Sequence, residues 1–97
     1  MRIDFVSSEE LINPENDNVD VIVRLDDGRI YSLLVATPNN IYWCMDNEEN
    51  DYYFGEPPVF VRRLTRKMVE EAVAELIKEP KWLDVYGSLS IPLPESD

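Results

Sequence analysis

The sequence predicts an α+β domain: a small antiparallel sheet of three to five strands, with one long helix in the C-terminal half and one short helix packed on one face. Three observations predict it. "VDVIVRLDDGRIYSLLVA", residues 19–36, is two β-rich runs around Asp27-Gly28, the signature of a hairpin. "TRKMVEEAVAELIKEP", residues 65–80, repeats apolar residues at helical spacing between a capping Thr65 and a terminating Pro80. The chain has 97 residues, 44% of them hydrophobic, which is enough for one core and one domain over 1–97.

The elements follow in order. Ile3 and Phe5 alternate with Arg2 and Asp4, a short first strand. "SSEELINPENDN" reads as a loop with one helical turn capped by Ser7 and Glu10, ended by Pro14 and the Asn/Asp cluster. The hairpin admits two registers. A two-residue turn at Asp27-Gly28 pairs Leu25 with Ile30. A type I turn with Gly28 as a bulge shifts the pairing by one. The second register puts Val19, Val21 and Val23 on one face with Val35, Leu33 and Tyr31, the cleaner apolar face, and is preferred because a buried face selects register. The opposite face holds Asp20, Ile22 and Arg24 with Leu34, Ser32 and Ile30. It is more apolar than a solvated face needs to be, so a cover is expected over it.

"TPNNIYWCMDN" reads as a short helix with Thr37 as N-cap, Pro38 as first helical residue, and Ile41, Cys44 and Met45 on one face. "MDNEENDYYFGEPP" then reads as a charged loop whose aromatics point partly inward. "VFVRRL" is a further strand with Val59 and Val61 on one face, and Pro57 and Pro58 keep its start out of a central ladder. On the long helix, Met68, Val69, Ala72, Val73, Leu76 and Ile77 form the buried stripe. Trp82, Leu83, Val85 and Tyr86 close the core, with a last short strand in "KWLDVYGSLS", and 91–97 is a frayed tail.

Charge is the strongest compositional signal. The formal net charge is −11, from 20 acids and 9 Lys and Arg. Residues 30–61 hold five acids and no base, and all five acids lie between 45 and 58. Then "RRLTRK" gathers Arg62, Arg63, Arg66 and Lys67 within six residues. Such a field repels nucleic acid and attracts basic partners. It also serves simply to keep a small protein soluble. For the basic cluster three readings stand: compensation by Glu70 and Glu71 one helical turn on, pairing with the acidic loop just upstream, or an anion or partner contact. A mixture of the first two is favoured.

Much chemistry is excluded. With no histidine in the chain, the commonest general base and neutral metal ligand are missing, and so are serine–histidine and cysteine–histidine nucleophile pairs. Cys44 lies among bulky apolar residues and acids, as suits a buried structural thiol. The three glycines are too scattered for a phosphate loop. Asp46, Glu48 and Asn50 start like a calcium loop, but the required Gly and Glu positions hold Asp51 and Pro57. Asp26-Asp27 and Glu48-Glu49 are ordinary turn acids. No catalytic, cofactor-binding or metal-ligating residue is therefore assigned, and no cofactor is expected.

"VDVIVRLDDGRIYSLLVATPNNI" and "YYFGEPPVFVRRLTRKMVEEAVAELI" resemble a group of small bacterial proteins of unassigned function. These share a DG hairpin, a Thr-initiated short helix, a "YF" segment, an "(I/V)xVxxL" strand and a C-terminal helix. The resemblance covers about three quarters of the chain. It implies this order of elements and a bacterial origin, and carries no functional residues. In build, meaning size and charge alone, the chain is also similar to immunity proteins of bacterial toxin systems.

The function expected first is a non-enzymatic acidic binding module, immunity- or inhibitor-like, for a basic protein. Its surface would comprise Tyr42, Trp43, Asp46, Glu48, Glu49, Asp51, Tyr52, Tyr53 and Glu56. The second is a self-associating protein whose half-apolar sheet face, Ile22, Ile30 and Leu34, forms a homodimer interface. The third is a small enzyme using carboxylates, or an anion site at Arg62, Arg63 and Arg66. "MRIDFVSSEE" lacks the apolar run of a secretory leader. No stretch approaches the roughly 18 apolar residues of a membrane span, and Cys44 has no partner cysteine. A cytoplasmic protein with no membrane or nucleic-acid partner is expected.

Overall fold

The computed structural model describes residues 1–55, 57–79, 81 and 85–90. Its elements are β1 (Arg2–Phe5), a 3₁₀ turn (Glu9–Leu11), β2 (Asn18–Arg24), β3 (Ile30–Ala36), α1 (Pro38–Glu48), β4 (Val59–Phe60), α2 (Arg66–Ile77) and β5 (Gly87–Ser90). This is the α+β class that the sequence predicts.

The β2–β3 hairpin is the centre of the sheet, and its register is the bulged one. Val19, Val21 and Val23 stand opposite Val35, Leu33 and Tyr31. The turn shows why. The Gly28 amide donates to the Leu25 carbonyl at 3.0 Å, and the Leu25 amide donates to Arg29 at 2.9 Å. Gly28 takes φ +93°, a conformation that glycine enters without steric cost. Asp27 braces the turn by accepting from the Arg29 amide at 3.0 Å and from Arg29 Nε at 2.8 Å.

β1 pairs antiparallel with β2, Ile3 opposite Val23 and Phe5 opposite Val21. The other edge of β3 is shared end to end by two short strands. β5 runs antiparallel along Ile30–Leu33, and β4 runs parallel along Val35 and Ala36. The sheet is therefore mixed, where antiparallel pairing was expected throughout. A strand of two residues carries no directional signal of its own. β4 is parallel because α1 and the loop after it carry the chain back to the edge of β3 in the same sense. The last short strand is present as β5.

One face of this sheet is the core. Val21, Val23, Leu33 and Val35 are wholly buried, and Val69 and Val73 of α2 are wholly buried against the same cluster, with Val61 and Leu64. Each such side chain contributes about 1.5–3 kcal/mol. Met68, Ala72, Leu76 and Ile77 fill out the predicted stripe. Thr65 caps α2 as expected, its hydroxyl accepting from the Met68 amide at 3.2 Å.

Three local expectations fail. The 3₁₀ turn is preceded by Ser8, with no side-chain cap. Thr37 is the N-cap of α1 by position, but its hydroxyl accepts from the Asp17 amide at 3.3 Å instead of capping. Val85 is exposed, while Tyr86 packs on the core. Pro80, Trp82, Leu83 and the tail 91–97 lie outside the described residues.

Candidate docking surface

The chain leaves β3 directly into α1, and what holds α1 is polar. Asn40 is buried in the first turn of α1. Its carboxamide oxygen accepts from Asn18 Nδ2 at 2.6 Å, and its nitrogen donates to Asn16 Oδ1 at 3.1 Å. Asn39 donates to the Glu15 carbonyl at 3.3 Å, and the Thr37 amide donates to the Asp17 carbonyl at 3.1 Å. The Asn13–Asn18 loop is itself tied by Asp17, which accepts from the Asn13 and Asn18 amides at 2.9 and 2.8 Å. The same loop receives the Leu64 amide on the Pro14 carbonyl at 2.8 Å. "NPENDN" is thus a clamp joining the start of α1 to the approach of α2. Sequence reasoning read it only as a loop. Its density of short polar side chains was a visible signal, but its partners lie twenty or more residues away.

Cys44 corrects its expectation too. It is half-buried, and its thiol lies 3.8 Å from the Asn40 carboxamide oxygen. Ile41, Cys44 and Met45 share a half-buried face as predicted.

The rest of α1 faces outward. Tyr42 is 68% exposed and Trp43 52%. After the helix, Tyr52 is 63% exposed, Tyr53 39% and Phe54 89%. The expectation that these aromatics point partly inward fails for Tyr52 and Phe54, and Tyr53 is the least exposed of the three. The core is already closed by side chains from the sheet and α2, Tyr31 among them, and the loop passes outside it. Tyr52 and Phe54 pack on one another instead, ring centroids 5.1 Å apart and tilted by 50°. With Glu48, Asn50, Tyr53 and Gly55 they line a hollow of about 360 Å³.

The acids crowd the end of α1. Asp46 and Glu48 belong to its last turn, and Glu49 terminates it in the left-handed conformation, φ 57° and ψ 38°. The Asn50 amide donates to the Met45 carbonyl at 2.9 Å and the Glu49 amide to Asp46 at 3.3 Å, the two bonds of a Schellman motif. Helix C-termini favour cations, by roughly 0.3–1 kcal/mol each. This one has no basic residue in its last turn. Asp51 adds a fourth acid, and Glu56 lies outside the described residues.

None of the basic cluster compensates these acids. Arg63 pairs with Glu15 at 3.1 Å. Arg66 Nε donates to Glu9 at 2.7 Å and Nη1 to the Ile3 carbonyl at 3.2 Å, and the guanidinium lies 4.6 Å from the centroid of the Phe5 ring. The hydrogen bond to Glu9 chiefly raises the pKa of Arg66, against a smaller effect of burial. Glu70 lies 3.8 Å from Arg66, the expected turn-to-turn compensation. Pairing with the upstream loop is overturned: the N-terminal loop, folded beside α2, takes those cations. The other ion pairs are equally remote, from the N-terminal ammonium to Asp26, Arg2 and Arg24 to Asp4, Arg29 to Asp27 and Lys78 to Glu75. Among the described residues no cation pairs with Asp46, Glu48, Glu49 or Asp51.

The three arginines of the alternative anion site do not converge. Arg62 lines a separate hollow of about 330 Å³ with Pro38, Asn39 and Phe60, while Arg63 and Arg66 turn to Glu15 and Glu9. Among the described residues no three acidic, Cys or His side chains are grouped to hold a metal ion, and no described helix is long and apolar enough to cross a membrane. No family model, curated protein or solved structure matches the chain.

Proposed function

We propose that the protein is a non-enzymatic, acidic protein-binding module that docks a basic partner through the C-terminal end of α1 and the loop after it, in the manner of an immunity or inhibitor protein. The observation that carries this reading is the coincidence of unpaired acids with exposed aromatics. Asp46, Glu48, Glu49 and Asp51 have no counter-charge within the described chain, and Tyr42, Trp43, Tyr52 and Phe54 stand exposed on the same helix and the loop after it. Aromatic anchors give affinity at a contact surface, and surrounding charge gives steering and partner choice. The end of a helix adds its own negative potential to the carboxylates. A single unpaired cysteine suits a reducing compartment, and the cytoplasm is the proposed location.

Affinity capture with the full chain at low and high salt, followed by titration of each retained protein, tests the proposal. The expected partner is basic, binds more weakly as salt rises, and loses at least about tenfold in affinity with Trp43→Ala or Tyr52→Ala. Glu71→Gln, on the exposed side of α2, should leave that affinity within about twofold. If every retained protein is neutral or acidic, or binding ignores both aromatic substitutions, the proposal fails.

A further inference from the structure

The outer face of the sheet has a pattern that the docking surface does not use. β2 presents Asp20, Ile22 and Arg24 there, and their partners across the hairpin are Leu34, Ser32 and Ile30. Ile22, Ile30 and Leu34 stand apart from the core cluster and are half-buried. Asp20 is exposed and forms no ion pair among the described residues. Among the described residues Arg24 pairs only with Asp4, at 3.5 Å.

The order of these residues has a symmetry. Reversing β2 about Ile22 exchanges Asp20 with Arg24. Reversing β3 about Ser32 exchanges Leu34 with Ile30. We infer that this face takes a second copy of the same chain, turned end for end about a two-fold axis that crosses the strands at Ile22 and Ser32. Asp20 of each copy then faces Arg24 of the other, and Ile30 of each faces Leu34 of the other. The contact is isologous, so each pairing occurs twice. Sheets stacked face to face lie about 10 Å apart, with strand directions within about 30°, which suits this arrangement. The other simple two-fold axis, along the strands, sets Asp20 over Leu34 and Arg24 over Ile30. That buries charge against apolar side chains and is disfavoured. Asp4, level with Ile22 on β1, faces its own copy at the rim, flanked by Arg2 at 3.2 Å and Arg24. Since α1 leaves the Ala36 end of β3, the two docking surfaces fall at opposite ends of the pair.

Sedimentation equilibrium of the full chain over a range of protein concentrations tests the inference, with circular dichroism to confirm that each variant is folded. The expected result is a concentration-dependent dimer. Asp20→Arg and Arg24→Asp each replace two attractive contacts with two repulsive ones, and each should weaken it at least about tenfold. The double variant Asp20→Arg/Arg24→Asp restores both contacts with their signs exchanged, and should recover most of the affinity. Trp43→Ala should leave the dimer unchanged, which separates this test from that of partner docking. A chain that stays monomeric at every concentration overturns the inference. So does a dimer that ignores the single swaps, a double variant no better than either single one, or a different protein bound to this face in place of a second copy.

Discussion

Glu49 is the residue at which stability and the proposed function pull in opposite directions, and Glu49→Gly separates them. Glu49 sits at φ 57° at the end of α1. A side chain in that conformation costs about 1–2 kcal/mol relative to glycine, partly offset by the roughly 0.5–1 kcal/mol of extra chain entropy that glycine loses on folding. The net backbone gain from glycine is therefore about 0.5–1 kcal/mol. Its carboxylate also opposes the helix dipole, worth roughly another 0.3–1 kcal/mol when removed. Glu49→Gly should then stabilise the domain by about 1–2 kcal/mol, and Glu49→Ala, which removes the charge but keeps the strain, by only about 0.3–1 kcal/mol. In urea, with a slope of about 1–3 kcal/mol per molar, the glycine variant should shift the midpoint by roughly 0.3–2 M. In a thermal scan each kcal/mol is about 4–8 °C for a domain of this size. Both variants should weaken binding of a basic partner, since both delete a carboxylate from the patch. Should Glu49→Gly be no more stable than Glu49→Ala, the left-handed termination of α1 and the reasoning built on it are refuted.

Two further outcomes follow from the ion pairs. Arg66→Ala removes the Glu9 pair, the bond to the Ile3 carbonyl and the packing on Phe5, and should cost about 1–2 kcal/mol, whereas Arg62→Ala should cost less than about 0.5 kcal/mol; equal losses in chemical denaturation would refute the assignment of Arg66 as the tie between α2 and β1. Asp27 has its pKa lowered chiefly by the Arg29 amide, with a further contribution from the Arg29 side chain, so its contribution to stability is full above its unfolded value and lost as pH falls through the folded one. Asp27→Asn should therefore flatten the loss of stability in the acid range below about pH 4, and identical acid titrations of the two proteins would count against the brace.

The parts of this fold that can be read from sequence are those decided by neighbours in the chain. The hairpin register follows from Gly28 and from two runs whose alternation leaves one clean apolar face, and α2 follows from Thr65 and a stripe of six apolar residues. The direction of β4 could not be read, because two residues hold no pattern and the answer depends on where α1 delivers the chain. Nor could the partners of the basic cluster. Arg66 and Glu9 are 57 residues apart, while the acidic loop lies just upstream, and proximity in sequence favoured the wrong acids. The aromatics misled for a different reason. Tyr52 and Phe54 are apolar enough for a core, but the core was already filled by side chains from the sheet and α2, and volume available inside a fold is not written in any local run.

The case for the docking surface rests on how the cations are distributed. A chain at −11 repels itself, and pairing its few bases with its densest acids would relieve the most repulsion. The fold does otherwise. Arg63 and Arg66 reach Glu15 and Glu9, Arg29 reaches Asp27, and Arg2 and Arg24 share Asp4. The first two fasten the N-terminal loop to α2 and its approach, and the others lie within the hairpin turn and the β1–β2 pair. Four acids are left together at the C-terminal end of α1, where the backbone is also negative, beside exposed rings that cost free energy to keep in water. Carboxylate charge, helix dipole and aromatic exposure are independent in origin, and each is unfavourable in the isolated chain. A basic surface carrying apolar or cationic side chains relieves all three at once, and simple acidity for solubility accounts only for the first.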